Sequence, residues 1–281
     1  MRPVRFGAAA LVLLLAGCQA GDVRPVASAS PPQGLSATAP SYAPNRTPTI
    51  APSSIGQAVS SSYNPKYCGV RQAGTGEPAK VLLTIDDFPY RNGEEMVKVA
   101  QWAQSTHTLM EAFPVSSNVS AYDKSHHTDL VARTRALGTY VGNHTFSHAD
   151  LRNIPLQAAE REIMLGVPST TMRPPYGDYN RTIRTFVEQD MHARICYWTL
   201  DTKDWQKLKD GSYPSVDTLL SRVSTQLEHA QPGAPVVILG HYFTNYPKAL
   251  PAIRRLVIQV GLRVCRAPNG PTTAEVPYPI C

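Results

Sequence analysis

Two carboxylates sit side by side at the end of an apolar run in "VLLTIDDFPY", Val81 to Tyr90. Asp86 and Asp87 repel each other, and one would be driven toward its protonated form unless something positive stood beside them. A divalent cation removes the conflict. One aspartate can then bind metal while the other stays free to accept a proton. "NHTFSH" places His144 and His148 four residues apart, a spacing at which two imidazoles can chelate one ion on a helix or in a tight turn. "RPPYGDYN" is a rigid turn leading into a helix. Its Arg173 can hold a carboxylate by a two-pronged contact, Gly177 permits unusual backbone angles, and its N–H groups can face a developing oxyanion. "LDTKDW" and "LGHYF" add Asp204, Trp205 and His241. Asp204 can pair with His241 and raise its pKa, which makes a general acid, and Trp205 can wall off a small substituent.

These residues need elements to carry them. Beyond residue 65 the chain alternates strand-like and helix-like pieces. Strands are expected at Val81 to Asp86, Phe113 to Val119, "TYVGNH", Met172 to Arg173, Ala193 to Leu200, Pro235 to Leu239 and Leu262 to Cys265. Helices are expected at Glu94 to Met110, Asp129 to Leu137 with Gly138 as its left-handed cap, Gln157 to Leu165, Tyr179 to Gln189, Val216 to His229 capped by Ser215, and Leu250 to Val260. Alternation of this kind predicts a parallel sheet, and the unbroken apolar runs predict strands covered on both faces. A closed barrel and an open sheet both satisfy it. In either, sites form at the C-terminal strand ends. Asp86, Asp87, His144, Arg173, Asp204 and His241 all follow expected strands.

Five ordered segments, "TIDD", "HTFSH", "RPPYG", "DTKDW" and "LGH", resemble those of the polysaccharide deacetylases, carbohydrate esterase family 4 with its nodulation-factor deacetylase homology domain. The resemblance runs from about Val81 to Cys265. It implies an α/β fold, a distorted parallel (β/α) barrel of about seven strands. It implies that Asp87, His144 and His148 bind one divalent metal, usually zinc, with cobalt or nickel as possible substitutes. Asp86 is then the general base, Arg173 its holder, His241 the general acid and Asp204 its tuner. The Tyr176 N–H binds the oxyanion, and Trp205 and Leu239 line an acetyl pocket. The chain departs from the pattern at Phe88, where a glycine is usual, at Tyr242, where an acidic residue is common, and in a short stretch between His148 and Arg173. The implied function is metal-dependent removal of N-acetyl groups from N-acetylglucosamine units of peptidoglycan, an exported polymer or chitin oligomers. O-acetyl esterase activity on glycans such as acetylxylan, and an inactive glycan-binding lipoprotein, are the competing readings.

The rest of the chain bears on location. Of the 281 residues, 1–17 read as a signal peptide, with Arg2 and Arg5 before an apolar run too short to span a bilayer. Leu15 to Cys18 resemble a bacterial lipobox, which implies a lipid on Cys18. Residues 18–65, rich in Pro, Ser and Ala, read as a tether, and 66–281 as the catalytic domain. The expected place is the cell envelope, lipid-anchored, in the outer membrane or periplasm if the cell is Gram-negative. Losing Arg2 and Arg5 takes the formal charge from +6 to +4. Without Lys/Arg blocks this excludes nucleic acid as a natural partner. A polysaccharide substrate, membrane contact through the lipid alone and a monomer are expected. Export permits disulfides. Pairing Cys68 with Cys265 would staple the two ends of the domain, with Cys196 a small buried hydrophobe.

Overall fold

The structure, a computed structural model, describes residues 63–87 and 92–281. The expected signal peptide, Cys18, most of the tether and Phe88 lie outside the described residues. Packing already includes Tyr63, which is buried, and Asn64 caps a 3-10 turn at Pro65–Tyr67.

Among the described residues eight short strands carry the fold: β1 (Lys80–Asp86), β2 (Met110–Phe113), β3 (Tyr140–Val141), β4 (Thr171–Met172), β5 (Arg194–Ile195), β6 (Leu200–Asp201), β7 (Val236–His241) and β8 (Arg263–Val264). The main sheet runs β3-β2-β1-β7-β6, and β8 pairs with the start of β1. Every strand pairing is parallel. β4 and β5 form a second sheet, joined to the first by a parallel bridge between Asn143 and Met172. The strand order therefore bends round into the distorted barrel expected from the sequence.

Seven α-helices of the described residues lie between the strands: α1 (Glu94–Ser105), α2 (Ser116–His126), α3 (Leu130–Ala136), α4 (Leu156–Met164), α5 (Arg181–Thr185), α6 (Val216–Glu228) and α7 (Tyr246–Gln259). Local chemistry sets their ends. Asp129 accepts from the Ala132 N–H at 2.8 Å to start α3, and Gly138, at φ +83°, ends the turn after it. Ser215 caps α6 through the Thr218 N–H, and Leu219, Val223 and Leu227, four apart, bury one face.

Side-chain alternation divides β1 between two cores. Val81, Leu83 and Ile85 pack outward with residues of α1 and α7, while Leu82 turns inward with Phe113 and Val237. Thr84 and Asp86 share the inward face by the same period. So does Glu111 on β2, between outward-facing Met110 and Ala112, and it is fully buried.

The structure differs from the sequence reading at several points, among them the helix expected at Glu94 to Met110, which ends at Ser105 so that Met110 opens β2. The strand expected at Phe113 to Val119 ends at Phe113, and α2 begins at Ser116. The strand expected at Ala193 to Leu200 is two strands in different sheets, because the Tyr197 N–H turns away to the Pro65 carbonyl at 2.8 Å. The disulfides are Cys68–Cys196 and Cys265–Cys281, not Cys68–Cys265. The stretch Tyr63 to Cys68 lies across Ile195 to Tyr197, with Tyr63 Oη donating to the Ile195 carbonyl at 2.5 Å, so Cys68 meets Cys196. Cys265 finds the C-terminal residue instead.

Candidate active site

Two loops bring a carboxylate and two imidazoles together. After β1, Asp87 adopts left-handed backbone (φ 58°), and its N–H donates to the Phe113 carbonyl at 3.0 Å. The loop after β3 carries His144 and His148. Asn143 fixes its start, with Oδ1 accepting from the Thr145 N–H and Nδ2 donating to the Ile163 carbonyl, each at 2.8 Å. Glu162 on α4 holds the Ser147 N–H and hydroxyl, also at 2.8 Å. Thr145 (φ 64°) and His148 (φ 63°) are left-handed as well. Such strain persists only where surrounding contacts enforce it.

The outcome is His144 Nε2 at 3.5 Å and His148 Nε2 at 3.3 Å from Asp87 Oδ1. The three donor atoms lie within 4.8 Å of one another. Asp87 Oδ1 is buried and accepts no hydrogen bond among the described residues. His144 Nδ1 lies 2.7 Å from the Arg173 carbonyl, which assigns its proton there and leaves Nε2 as a lone pair. Burial opposes ionisation of Asp87, but the neighbouring imidazoles prevail and bring its carboxyl down to about 2. Burial, with the nearby His144, pushes His148 down toward the neutral form. An anionic oxygen converging with two imidazole nitrogens suits a divalent cation.

Asp86 stands beside this cluster in a different role. Its Oδ1 accepts from Arg173 Nη1 at 2.6 Å, and its Oδ2 lies 4.0 Å from His144 Nε2. Arg173 directly follows β4 and is wholly buried. Its Nη1 also donates to Thr84 Oγ1 at 2.8 Å, its Nε to the Cys196 carbonyl at 3.2 Å, and its Nη2 to Cys196 Sγ at 3.2 Å and the Tyr197 carbonyl at 3.0 Å. All five guanidinium protons are thereby used. The Phe113 ring lies 4.3 Å from the guanidinium carbon.

His241 ends β7 directly opposite Asp86 on β1. Its Nδ1 donates to Asp204 Oδ1 at 2.8 Å, and its N–H donates to Asp204 Oδ2 at 2.8 Å. Thr202 and Thr244 hydroxyls also donate to this fully buried carboxylate. Burial works against a charged His241, but the Asp204 contact outweighs it and raises the imidazole above its ordinary value. The Asp204 loop is held from outside by Arg222 of α6, which donates to the Thr202 and Lys203 carbonyls at 3.1 and 2.8 Å. Leu239 is buried one turn of the pleat before His241, whereas Trp205 is 47% exposed.

Tyr176 completes the arrangement. Its backbone is left-handed (φ 59°), it is 68% exposed, and its ring meets His148 edge-on at 4.7 Å. A side chain at Gly177 (φ +67°) would come within 2.5 Å of the Tyr197 hydroxyl and 2.6 Å of the Trp198 ring, so glycine is required there. The residues expected to bind metal, transfer protons and contact substrate thus lie at this end of the strands. Thr84, Thr202, Thr244, Phe113 and Cys196 were not foreseen. Thr84 alone left a signal, two residues before Asp86 on the same strand face.

Comparison with known proteins agrees with this geometry. The family model for polysaccharide deacetylases matches residues 73–193. The chitooligosaccharide deacetylase of Rhizobium leguminosarum bv. trifolii is 32% identical over 180 residues, covering 59% of this chain and 74% of that one. The peptidoglycan-N-acetylglucosamine deacetylase of Bacillus cereus is 26% identical over 178 residues, covering 57% of this chain and 59% of that one. The structure of a family 4 carbohydrate esterase from Streptomyces lividans, solved with acetate, superposes with a TM-score of 0.53 at 24% identity, covering 70% of this chain and 98% of that one. With its strand-end carboxylates and imidazoles arranged as described, the chain belongs to the polysaccharide deacetylase family.

Proposed function

We propose that the protein is a metal-dependent hydrolase that removes N-acetyl groups from N-acetylglucosamine units of an envelope polysaccharide, peptidoglycan or an N-acetylglucosamine polymer. One observation carries this reading. Asp86 and His241 face each other across paired strands beside the three-donor cluster of Asp87, His144 and His148. A cation held there, zinc by the chemistry of two imidazoles and one carboxylate, would polarise the acyl carbonyl and acidify a water molecule.

The chain's own residues supply the rest. Asp86, with Oδ1 committed to Arg173, offers Oδ2 to take the proton of the attacking water. His241, with Nδ1 committed to Asp204, carries its transferable proton on Nε2 and gives it to the departing sugar nitrogen. The Tyr176 amide, turned by its left-handed backbone, donates to the developing oxyanion. Trp205 and Leu239 form apolar walls for the acetyl methyl. Acetate leaves, and the sugar unit remains in the polymer with a free amine.

The lipobox-like segment around Cys18 supports an envelope location, tethered outside the cytoplasm. The test is acetate release from N-acetylglucosamine oligomers and from peptidoglycan, with acetylxylan alongside. Release from the N-acetyl substrates, abolished by a chelator and restored by zinc, is expected. Release confined to acetylxylan, or unaffected by chelation, would overturn the reading.

A further inference from the structure

The guanidinium that holds Asp86 is itself held by a segment remote in sequence. Three of its five protons go to Cys196 and Tyr197: the Cys196 carbonyl, the Cys196 sulfur and the Tyr197 carbonyl. That segment belongs to no strand, since β5 ends at Ile195 and β6 begins at Leu200. The Cys196 N–H donates to the Met172 carbonyl at 2.8 Å and the Thr199 N–H to the Val237 carbonyl at 3.0 Å; between them the segment is held by the stretch Tyr63 to Cys68. Tyr63 Oη donates to the Ile195 carbonyl at 2.5 Å, the Tyr197 N–H donates to the Pro65 carbonyl at 2.8 Å, and Cys68 is bonded to Cys196. The chain from Cys68 through Cys196 and Arg173 to Asp86 is continuous and almost wholly buried.

We propose that the Cys68–Cys196 disulfide is a positioning element for the hydrolytic reaction: it fixes the acceptors that orient Arg173, and through Arg173 it sets the Asp86 carboxylate. This rests on the hydrolase reading above. Cys68 and Cys196 touch no substrate and act only through the arginine. The second disulfide provides an internal control. Cys265–Cys281 packs in the same inner core but gives Arg173 no hydrogen bond among the described residues. A disulfide that merely stabilised the fold would behave like it.

The experiment compares Cys68→Ala/Cys196→Ala with Cys265→Ala/Cys281→Ala in the zinc-loaded protein. The first readout is hydrogen exchange at the Arg173 Nε–H by NMR, which does not depend on activity. The second is kcat and KM for acetate release, with bound zinc measured. Loss of the first disulfide is expected to speed Arg173 exchange and lower kcat about 10- to 100-fold, the size of effect a small misplacement of a reacting group produces, with KM and zinc content little changed. Loss of the second leaves exchange and kcat as in the wild type. Tyr63→Phe keeps both disulfides, releases the Ile195 carbonyl, and decides the matter if the first double variant does not fold; it should move both readouts the same way by less. Unchanged Arg173 exchange in these variants, or equal loss of kcat in both double variants, overturns the proposal. A wild-type protein without metal-dependent acetate release would overturn the hydrolase reading, while the exchange comparison would still judge this one.

Discussion

Asp86 and His241 are directly paired positions on adjacent parallel strands, β1 and β7. Neighbouring strands lie about 4.8 Å apart, so the fold itself sets base and acid on either side of one narrow space. Each is also oriented from behind by a buried partner of opposite charge, Arg173 for Asp86 and Asp204 for His241. The separation of roles predicts that Asp86→Asn keeps the metal and loses turnover. An amide still fits the Arg173 pocket but cannot take a proton. A fall in kcat of about 10²- to 10⁴-fold with unchanged zinc stoichiometry is expected. Near-normal acetate release by this variant would remove Asp86 as the base.

His148 should show the opposite pattern. It contributes one of three donor atoms, and it is the most solvent-accessible of them. His148→Ala should weaken zinc binding by at least about 100-fold, more than loss of an outer hydrogen-bond partner usually does. Isothermal titration of chelator-treated protein reads this directly, and activity should return in part at high zinc.

The raised pKa of His241 fixes the sign of a pH effect. The acid works only while protonated, so activity should fall as pH rises through its folded value, above that of a free imidazole. Asp204→Asn removes the charge that favours the imidazolium. The alkaline limb of the kcat/KM profile should then move to lower pH, while the acidic limb stays. An unmoved alkaline limb would assign it to another group.

Glu111 predicts a pH dependence of stability rather than of activity. Burial raises its carboxyl to about 7, against the pull of the Thr171 hydroxyl and nearby arginines. A carboxyl whose folded value exceeds its unfolded value stabilises the fold fully below the unfolded value of about 4.5, and that stabilisation is lost as pH climbs through about 7. The span is on the order of 3 kcal/mol. Denaturant unfolding in chelator, disulfides intact, should show Glu111→Gln losing this slope and outlasting the wild type at pH 8.

What was legible in the sequence was the chemistry at strand ends. Asp86, His144 and His241 follow apolar runs, and a parallel α/β fold gathers such positions at one rim whatever the details between them. What was not legible depends on segments distant in sequence. Cys68 and Cys196 are 128 residues apart, and nothing local in either marks the other. The break between β5 and β6 has the same origin, because an apolar, aromatic stretch reads as one strand until Pro65 claims the Tyr197 N–H. Phe113 to Val119 misled because Phe113, Val115 and Val119 outweighed the serines that open α2. The hydroxyls of Thr202 and Thr244 were invisible because only the folded loop brings them to Asp204.

Asp87, Thr145, His148, Tyr176 and Lys203, none of them glycine, share a backbone region that L-residues avoid. Each such residue costs about 1–3 kcal/mol. Selection for heat resistance and selection for turnover therefore collide at Asp87 and His148: glycine would relax the chain there and delete the very group the chemistry uses. Thermal tolerance can be raised without that conflict on the outer faces of α6 and α7, away from the rim where the loops converge.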